Sequence, residues 1–198
     1  LCLLNDWSAR DIQGWEAVPL GPFQAKNFAT TVSPWIVTME ALAPFRAPVR
    51  RDDTDPPLLP YLQPRPGAAL AVDLQLEAFL ETAGEAPFRI SATATTQAHW
   101  SFAQMLAHHT ANGCAMRPGD LLGSGTQSGP GPEACGCLME RTRGGREPLV
   151  LPGGARRAML EDGDAIVLRA YAQRPGAVRI GFGECRGDVR SARAGVAT

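Results

Sequence analysis

Apolar and polar residues alternate most cleanly between Ala69 and Leu80. Leu70, Val72, Leu74 and Leu76 fall on one side and Asp73, Gln75 and Glu77 on the other, which predicts a half-buried strand. Thr82 to Pro87 supplies a turn, and Phe88 to Thr96 reads as the antiparallel partner. Between Ser101 and Asn112 the period changes. Phe102, Met105, Leu106 and His109 recur at helical spacing, and Gly113 is placed to stop the helix. Thr31 to Thr38 is rich in β-branched and aromatic residues and reads as a strand, with Pro34 marking an edge or a bend. Met39 to Leu42 allows one turn of helix before Pro44. Leu138 to Thr142, Leu149 to Leu151, Ala165 to Ala172 and Val178 to Glu184 read as further short strands, with a turn at Glu161 to Asp164. Arg46 to Gly67 is proline-rich and has no sustained period, so it is expected to be a long surface loop that packs down through Leu58, Leu59, Tyr61 and Leu62. The pattern is mainly β with one good helix, all-β or α+β.

Composition narrows this little. At 198 residues the chain is long enough for one domain with a real core. Its 44% hydrophobic and 20% charged residues are ordinary for a soluble globular protein. A net charge of −1 gives no argument for nucleic acid or for an anionic membrane. No apolar run approaches the ~20 residues needed to span a bilayer. The opening Leu1-Cys2-Leu3-Leu4 is too short for a signal peptide and has no basic lead. Five irregularly spaced cysteines do not suggest a disulfide framework. Cys135 and Cys137 stand too close in sequence for the usual zinc spacing. Reduced thiols in a cytoplasmic protein are the expectation.

Chemistry concentrates between Asn5 and Thr30. Asp6 precedes a helix-compatible segment, Trp7 to Glu16, where it can cap the helix or ligate a cation. Arg10 and Gln13 would share one helical face and present a guanidinium fork and an amide N–H to one point. Pro19, Gly21 and Pro22 force a turn, after which Lys26 and Thr30 sit on an extended segment. A plainer reading is also open. In it Asp6 only caps, Arg10 pairs with Asp6 four residues earlier, and Lys26 is solvated. Further on, Leu121 to Gly136 is glycine-rich, but it has no G-K-[ST] and is not read as a phosphate loop.

Three blocks carry a resemblance. The first runs N-D-W-S-A-R-D-I-Q-G-W-E from Asn5, continues through P-L-G-P-F, and ends in K-N-F-A-T-T-V-S-P-W at Trp35. The second is His108 to Pro130, with R-P-G-D-L-L-G-S-G-T-Q-S-G-P in it. The third is R-I-G-F-G-E-C at Arg179 to Cys185. Together they resemble the fumarylacetoacetate hydrolase family over nearly the whole chain. The resemblance implies a mixed β-sandwich roll of the kind formed by the C-terminal catalytic domain, in an intertwined homodimer. It also implies that a small N-terminal domain and the first part of the catalytic domain precede this chain, which starts without Met in an apolar run.

What the resemblance implies for the site can be given residue by residue. Asp6 matches a ligand of a divalent cation, Mg2+ or Ca2+. Lys26 and Thr30 match positions lining that metal. Arg10, Gln13 and Lys26 match the group that stabilises an oxyanion. Thr126 matches a substrate-contacting threonine. Glu140 matches the acid that orients a catalytic histidine, which lies upstream together with the other carboxylate ligands. His99, His108 and His109 do not fit that role; adjacent residues on a helix diverge by about 100° and do not converge on one metal. The implied substrate is a diketo acid, 4-fumarylacetoacetate, cleaved at a carbon–carbon bond to fumarate and acetoacetate in tyrosine and phenylalanine breakdown. This chain alone is expected to be inactive. One departure stands out: the family usually has Tyr where this chain has Ala17. Alternatives are a related enzyme acting on another diketo acid, an acylpyruvate hydrolase or a keto-acid decarboxylase, or a non-catalytic fragment.

Overall fold

The computed structural model describes residues 1–192. Its centre is a four-stranded antiparallel sheet in the order β10-β9-β5-β6. The strands are β5 (Gln75–Glu81), β6 (Phe88–Ala94), β9 (Ala165–Ala172) and β10 (Ile180–Asp188). Three two-stranded ladders surround it: β1 (Leu4–Asp6) with β2 (Thr30–Val32), β3 (Arg46–Ala47) with β4 (Ala71–Val72), and β7 (Leu149–Val150) with β8 (Arg156–Arg157). Four α-helices complete it: α1 (Arg10–Glu16), α2 (Gln24–Asn27), α3 (Phe102–Thr110) and α4 (Leu138–Arg141). The fold is mainly β, in the α+β class.

Strand β9 occupies the span that its sequence pattern indicates. It pairs on both sides, with β5 from Gln75↔Tyr171 to Glu81↔Ala165 and with β10 from Ile180↔Ala172 to Asp188↔Ala165. Central position explains its near-continuous burial, from Ala165 to Val167 and again at Ala170 and Ala172. One core cluster joins Leu3, Val37, Leu42, Phe45, Val72, Leu74, Phe182 and Cys185. A second joins Leu80, Ile90, Leu151 and Ile166, with Trp7 packed against it. The first cluster contains the predicted Val72–Leu74 side of the alternation. The strand itself breaks at Asp73, whose N–H donates to Phe45 O at 2.8 Å. The single expected strand from Ala69 is therefore two, β4 and β5.

Other expectations are corrected. Leu138 to Thr142 is helical, not extended. Cys137 Sγ accepts the Glu140 N–H at 3.4 Å and Thr142 N–H donates to Leu138 O at 2.9 Å, so local bonds win over a strand five residues long. The Thr31 to Thr38 strand ends at Val32, because Pro34 has no N–H for a ladder. Met39 to Leu42 is turn, followed by a 3-10 turn at Ala43–Phe45. Residues 46–67 are the expected loop, apart from β3 and a 3-10 turn at Pro60–Leu62; Leu62 is buried as expected, but Leu59 and Tyr61 are exposed. Helix α3 begins on a capping box, with Ser101 Oγ accepting Gln104 N–H at 3.2 Å and Gln104 Oε1 accepting Ser101 N–H at 3.0 Å. Its buried residue is Gln104, whose amide donates to Leu62 O at 3.1 Å, while Leu106 of the apolar stripe is exposed.

Trp7 fixes the chemistry-bearing end to the sheet. Its Nε1–H donates to Thr31 Oγ1 at 2.8 Å. Its ring lies over Gly187 of β10 so closely that a Cβ there would collide with Cζ2. No helix among the described residues is long and apolar enough to cross a membrane.

Candidate active site

Asp6 ends β1, directly opposite Thr30 in the ladder with β2. Lys26 is not on an extended segment as its sequence context suggests. It lies on α2, which turns its side chain back across β1. There Lys26 Nζ donates to Asp6 Oδ2 at 3.0 Å and to Asp6 main-chain O at 3.0 Å. Asp6 does not cap α1; the residue at the cap position is Ala9, with no side-chain cap. Arg10 does not pair with Asp6 either. Its Nη1 donates to Gln13 Oε1 at 2.8 Å. That bond occupies the amide oxygen and leaves the Gln13 NH2 as the free donor end. Arg10 and Gln13 are half-buried, and Ala9 N–H donates to Ala25 O at 3.0 Å, which sets the start of α1 beside the residue preceding Lys26.

The glycine-rich stretch forms a second group. Ser128 Oγ donates to Glu140 Oε2 at 2.7 Å, and the Gly136 N–H donates to the same oxygen at 2.9 Å. Thr126 stands against Gly136: a Cβ on Gly136 would collide with Thr126 Cγ2 and come within 2.7 Å of Gln127 main-chain O. Only glycine lets the Cys135–Cys137 strand of chain pass there. Gly136→Ala is expected to lower stability by about 1–3 kcal/mol, the usual cost of overpacking. It should also displace Glu140, whose helix follows immediately. Chemical denaturation of the two proteins checks this, and an unchanged midpoint would contradict the packing argument. At Gly123 this stretch comes alongside β1, an ideal Cβ lying 4.0 Å from Leu4 Cδ2.

The histidines are engaged elsewhere. His108 Nδ1 lies 2.9 Å from Tyr61 Oη, His109 Nε2 lies 3.4 Å from Cys114 Sγ, and His99 Nε2 lies 3.3 Å from Arg51 Nη1. Cys114 is a free, exposed thiol, and among the described residues all five cysteines are free. Burial pushes the Cys185 thiol up, and likewise that of Cys135, so neither is poised as a nucleophile.

A divalent cation needs more oxygen donors than Asp6 alone supplies. Hard cations take six to eight oxygens. No group of three His, Cys, Asp or Glu side chains is close enough to hold a metal among the described residues. Asp6 is one hard-oxygen donor, half exposed and already neutralised by Lys26. The described residues fit one corner of a cation site and not the whole of it.

Sequence reasoning missed Glu16. Its Oε1 accepts the N–H groups of Phe23 at 2.7 Å and Ala25 at 2.8 Å, and its Oε2 accepts that of Gln24 at 3.2 Å. The bond from Ala25 is the largest cause holding its carboxyl below the ordinary range. Ser128, the partner of Glu140, was also missed. The signal for Glu16 was a lone acid at a helix end facing a tight proline-glycine turn. Its partners are backbone groups, which a residue pattern does not display.

The structure thus puts a carboxylate against an ammonium, and a guanidinium against an amide, at the edge of a mainly β scaffold. The comparisons give the family. The model of the fumarylacetoacetate (FAA) hydrolase C-terminal family matches residues 1–190, and the chain belongs to that family. It is 51% identical over 187 residues to fumarylacetoacetase fahA of Aspergillus fumigatus, covering 94% of this chain and 43% of that protein. It is 47% identical over 190 residues to the fumarylacetoacetase of Arabidopsis thaliana and 46% identical over 189 residues to that of Homo sapiens, each covering 96% of this chain and 44% of the relative. The chain thus spans less than half the length of these relatives.

Proposed function

We propose that this chain is the C-terminal part of a fumarylacetoacetase, a metal-dependent hydrolase of the carbon–carbon bond in 4-fumarylacetoacetate. The observation that carries the reading is the Asp6–Lys26 contact at 3.0 Å, in a chain about half identical to proteins of that name. Water adds to the carbonyl beside the scissile bond and makes a tetrahedral oxyanion. That intermediate collapses by expelling a carbanion, a poor leaving group. Two charges therefore need help. Lys26, the Arg10 guanidinium and the Gln13 amide N–H supply donors for the oxyanion. A cation, Mg2+ or Ca2+, supplies Lewis acidity for the leaving enolate when bound, with Asp6 as one ligand and Thr30 beside it. Thr126 and the glycine-rich stretch meet the substrate, and Glu140 orients the base. The base and the other ligands belong to the part of the relatives' length that this chain does not span, so the chain alone is inactive.

Assembly as a homodimer in the cytoplasm completes the reading. Trp15, Val18 and Leu20, on and after α1, are more than four-fifths exposed, an apolar surface of the kind that marks an interface.

The test is an assay of this chain and of the full-length protein with fumarylacetoacetate and magnesium, following the diketo absorbance. Turnover by the full-length protein alone is the expected result. Turnover by this chain alone would overturn the division of the site. A folded, inactive full-length protein would point to another diketo acid, with Ala17 the first residue to examine. Ala17 removes the hydroxyl and ring that the family's usual tyrosine places there; here it only ends α1, its N–H donating to Gln13 O at 3.0 Å.

A further inference from the structure

We infer that Glu16 is the positioning residue of this site: it fixes α2, and with it Lys26, relative to the helix that carries Arg10 and Gln13. The inference rests on the reading above for the reaction, and on the geometry alone for the positioning.

Helices α1 and α2 are joined by residues 17–23, a connection with two prolines and a glycine and with Val18, Leu20 and Phe23 exposed. Nothing in that connection packs firmly enough to hold α2. Helix α2 is four residues long and has no side-chain cap of its own. A helix this short does not persist on internal bonds, because nucleation costs more than its few bonds return. Two straps hold it. At one end of α1, the Ala9 N–H donates to Ala25 O at 3.0 Å. At the other end, the Glu16 carboxylate takes the N–H groups of Phe23, Gln24 and Ala25, at 2.7, 3.2 and 2.8 Å. Those N–H groups have no acceptor within so short a helix, and one carboxylate satisfies all three. Ala25 is fully buried between the straps. Lys26 is the next residue, and its ammonium reaches Asp6 from there.

The hydrogen bonds of Glu16 go to main-chain N–H groups and not to Lys26 or Asp6, so it acts through the backbone. A carboxylate is the right group for the task. Both oxygens accept, whereas a glutamine would turn one donor against a backbone N–H. Because catalysis by Lys26 depends on where its ammonium stands, a displacement of about 1 Å costs up to about 100-fold in rate.

The test compares wild type, Glu16→Gln and Glu16→Ala in the full-length protein with magnesium. Two readouts are taken: kcat and KM for fumarylacetoacetate, and hydrogen exchange of the amides of residues 23–27. The expected result is a kcat lower by about tenfold in Glu16→Gln and about 100-fold in Glu16→Ala, with KM changed less than about threefold. Exchange at residues 23–27 should quicken by at least about tenfold while the four-stranded sheet keeps its protection. Unchanged exchange overturns the inference. So does faster exchange with an unchanged kcat, which would make Glu16 a tether without a role in placing Lys26. General loss of protection across the sheet would show a merely structural residue and also overturns it. If wild type itself does not turn over fumarylacetoacetate, the substrate reading fails, and the exchange arm still decides whether Glu16 holds α2.

Discussion

Replacing Lys26 by methionine is expected to lower kcat of the full-length protein by roughly 100- to 1000-fold with little change in stability. Methionine keeps the apolar stem and deletes the ammonium. In the folded chain the Lys26 side chain is a third exposed and that of Asp6 half exposed, so the pair is a surface ion pair by burial. Such pairs contribute about 0–1 kcal/mol, and the melting temperature should barely move. The rate should move far more, because the oxyanion depends on each preorganised donor. Initial rates and a thermal melt on the same preparation check both halves. A kcat within threefold of wild type would remove Lys26 from the chemistry. A collapse in melting temperature would mean that the ion pair is structural after all.

The largest stability effect is expected at a buried ion pair instead. Asp164 is buried, and its carboxylate accepts from Arg157 Nε at 2.8 Å, from Arg157 Nη2 at 3.1 Å and from the Glu161 N–H at 2.8 Å. The hydrogen bond to Asp164 raises the Arg157 guanidinium above its ordinary pKa. The pair ties β8 to the start of β9, the central strand. Asp164→Ala leaves a mostly buried guanidinium with only the exposed Glu161 carboxylate, 3.3 Å away, and should cost about 3 kcal/mol. Glu147→Ala is the control. Its partner Arg143 lies 3.1 Å away on the surface, and its loss should cost under ~1 kcal/mol. Urea denaturation of the three proteins separates the cases; equal midpoints for the two variants would show that burial does not govern the difference.

How much of this was legible in the sequence depends on the distance over which each residue acts. Strand β9 and helix α3 were legible because their signals are local: an apolar run bounded by turn residues, and a Ser101–Gln104 box closed by Gly113. Leu138 to Thr142 was misread because five residues fit a strand and a helical turn equally well. The site residues were legible as a set through their resemblance to a family. Their partners were not. Spacing offered Arg10 to Asp6, four positions away, whereas the fold gives Asp6 to Lys26, because β1 and β2 form a ladder and α2 sits between them. Glu16 and Ser128 were hidden for a related reason: each works through backbone N–H groups or a bond across a loop, and no pattern of side-chain types records those.

The seat of Trp7 on Gly187 also sets an order of events as the chain is made. Trp7 is synthesised well before Gly187, and the glycine's missing side chain is the space the ring needs. Contacts this distant in sequence close slowly, since a long loop must be restrained before they form. Strand β1 can therefore dock, and carry Asp6 to its place, only after β10 has been synthesised. The corner of the site formed by Asp6, Lys26 and Thr30 thus waits for a strand made well after all three.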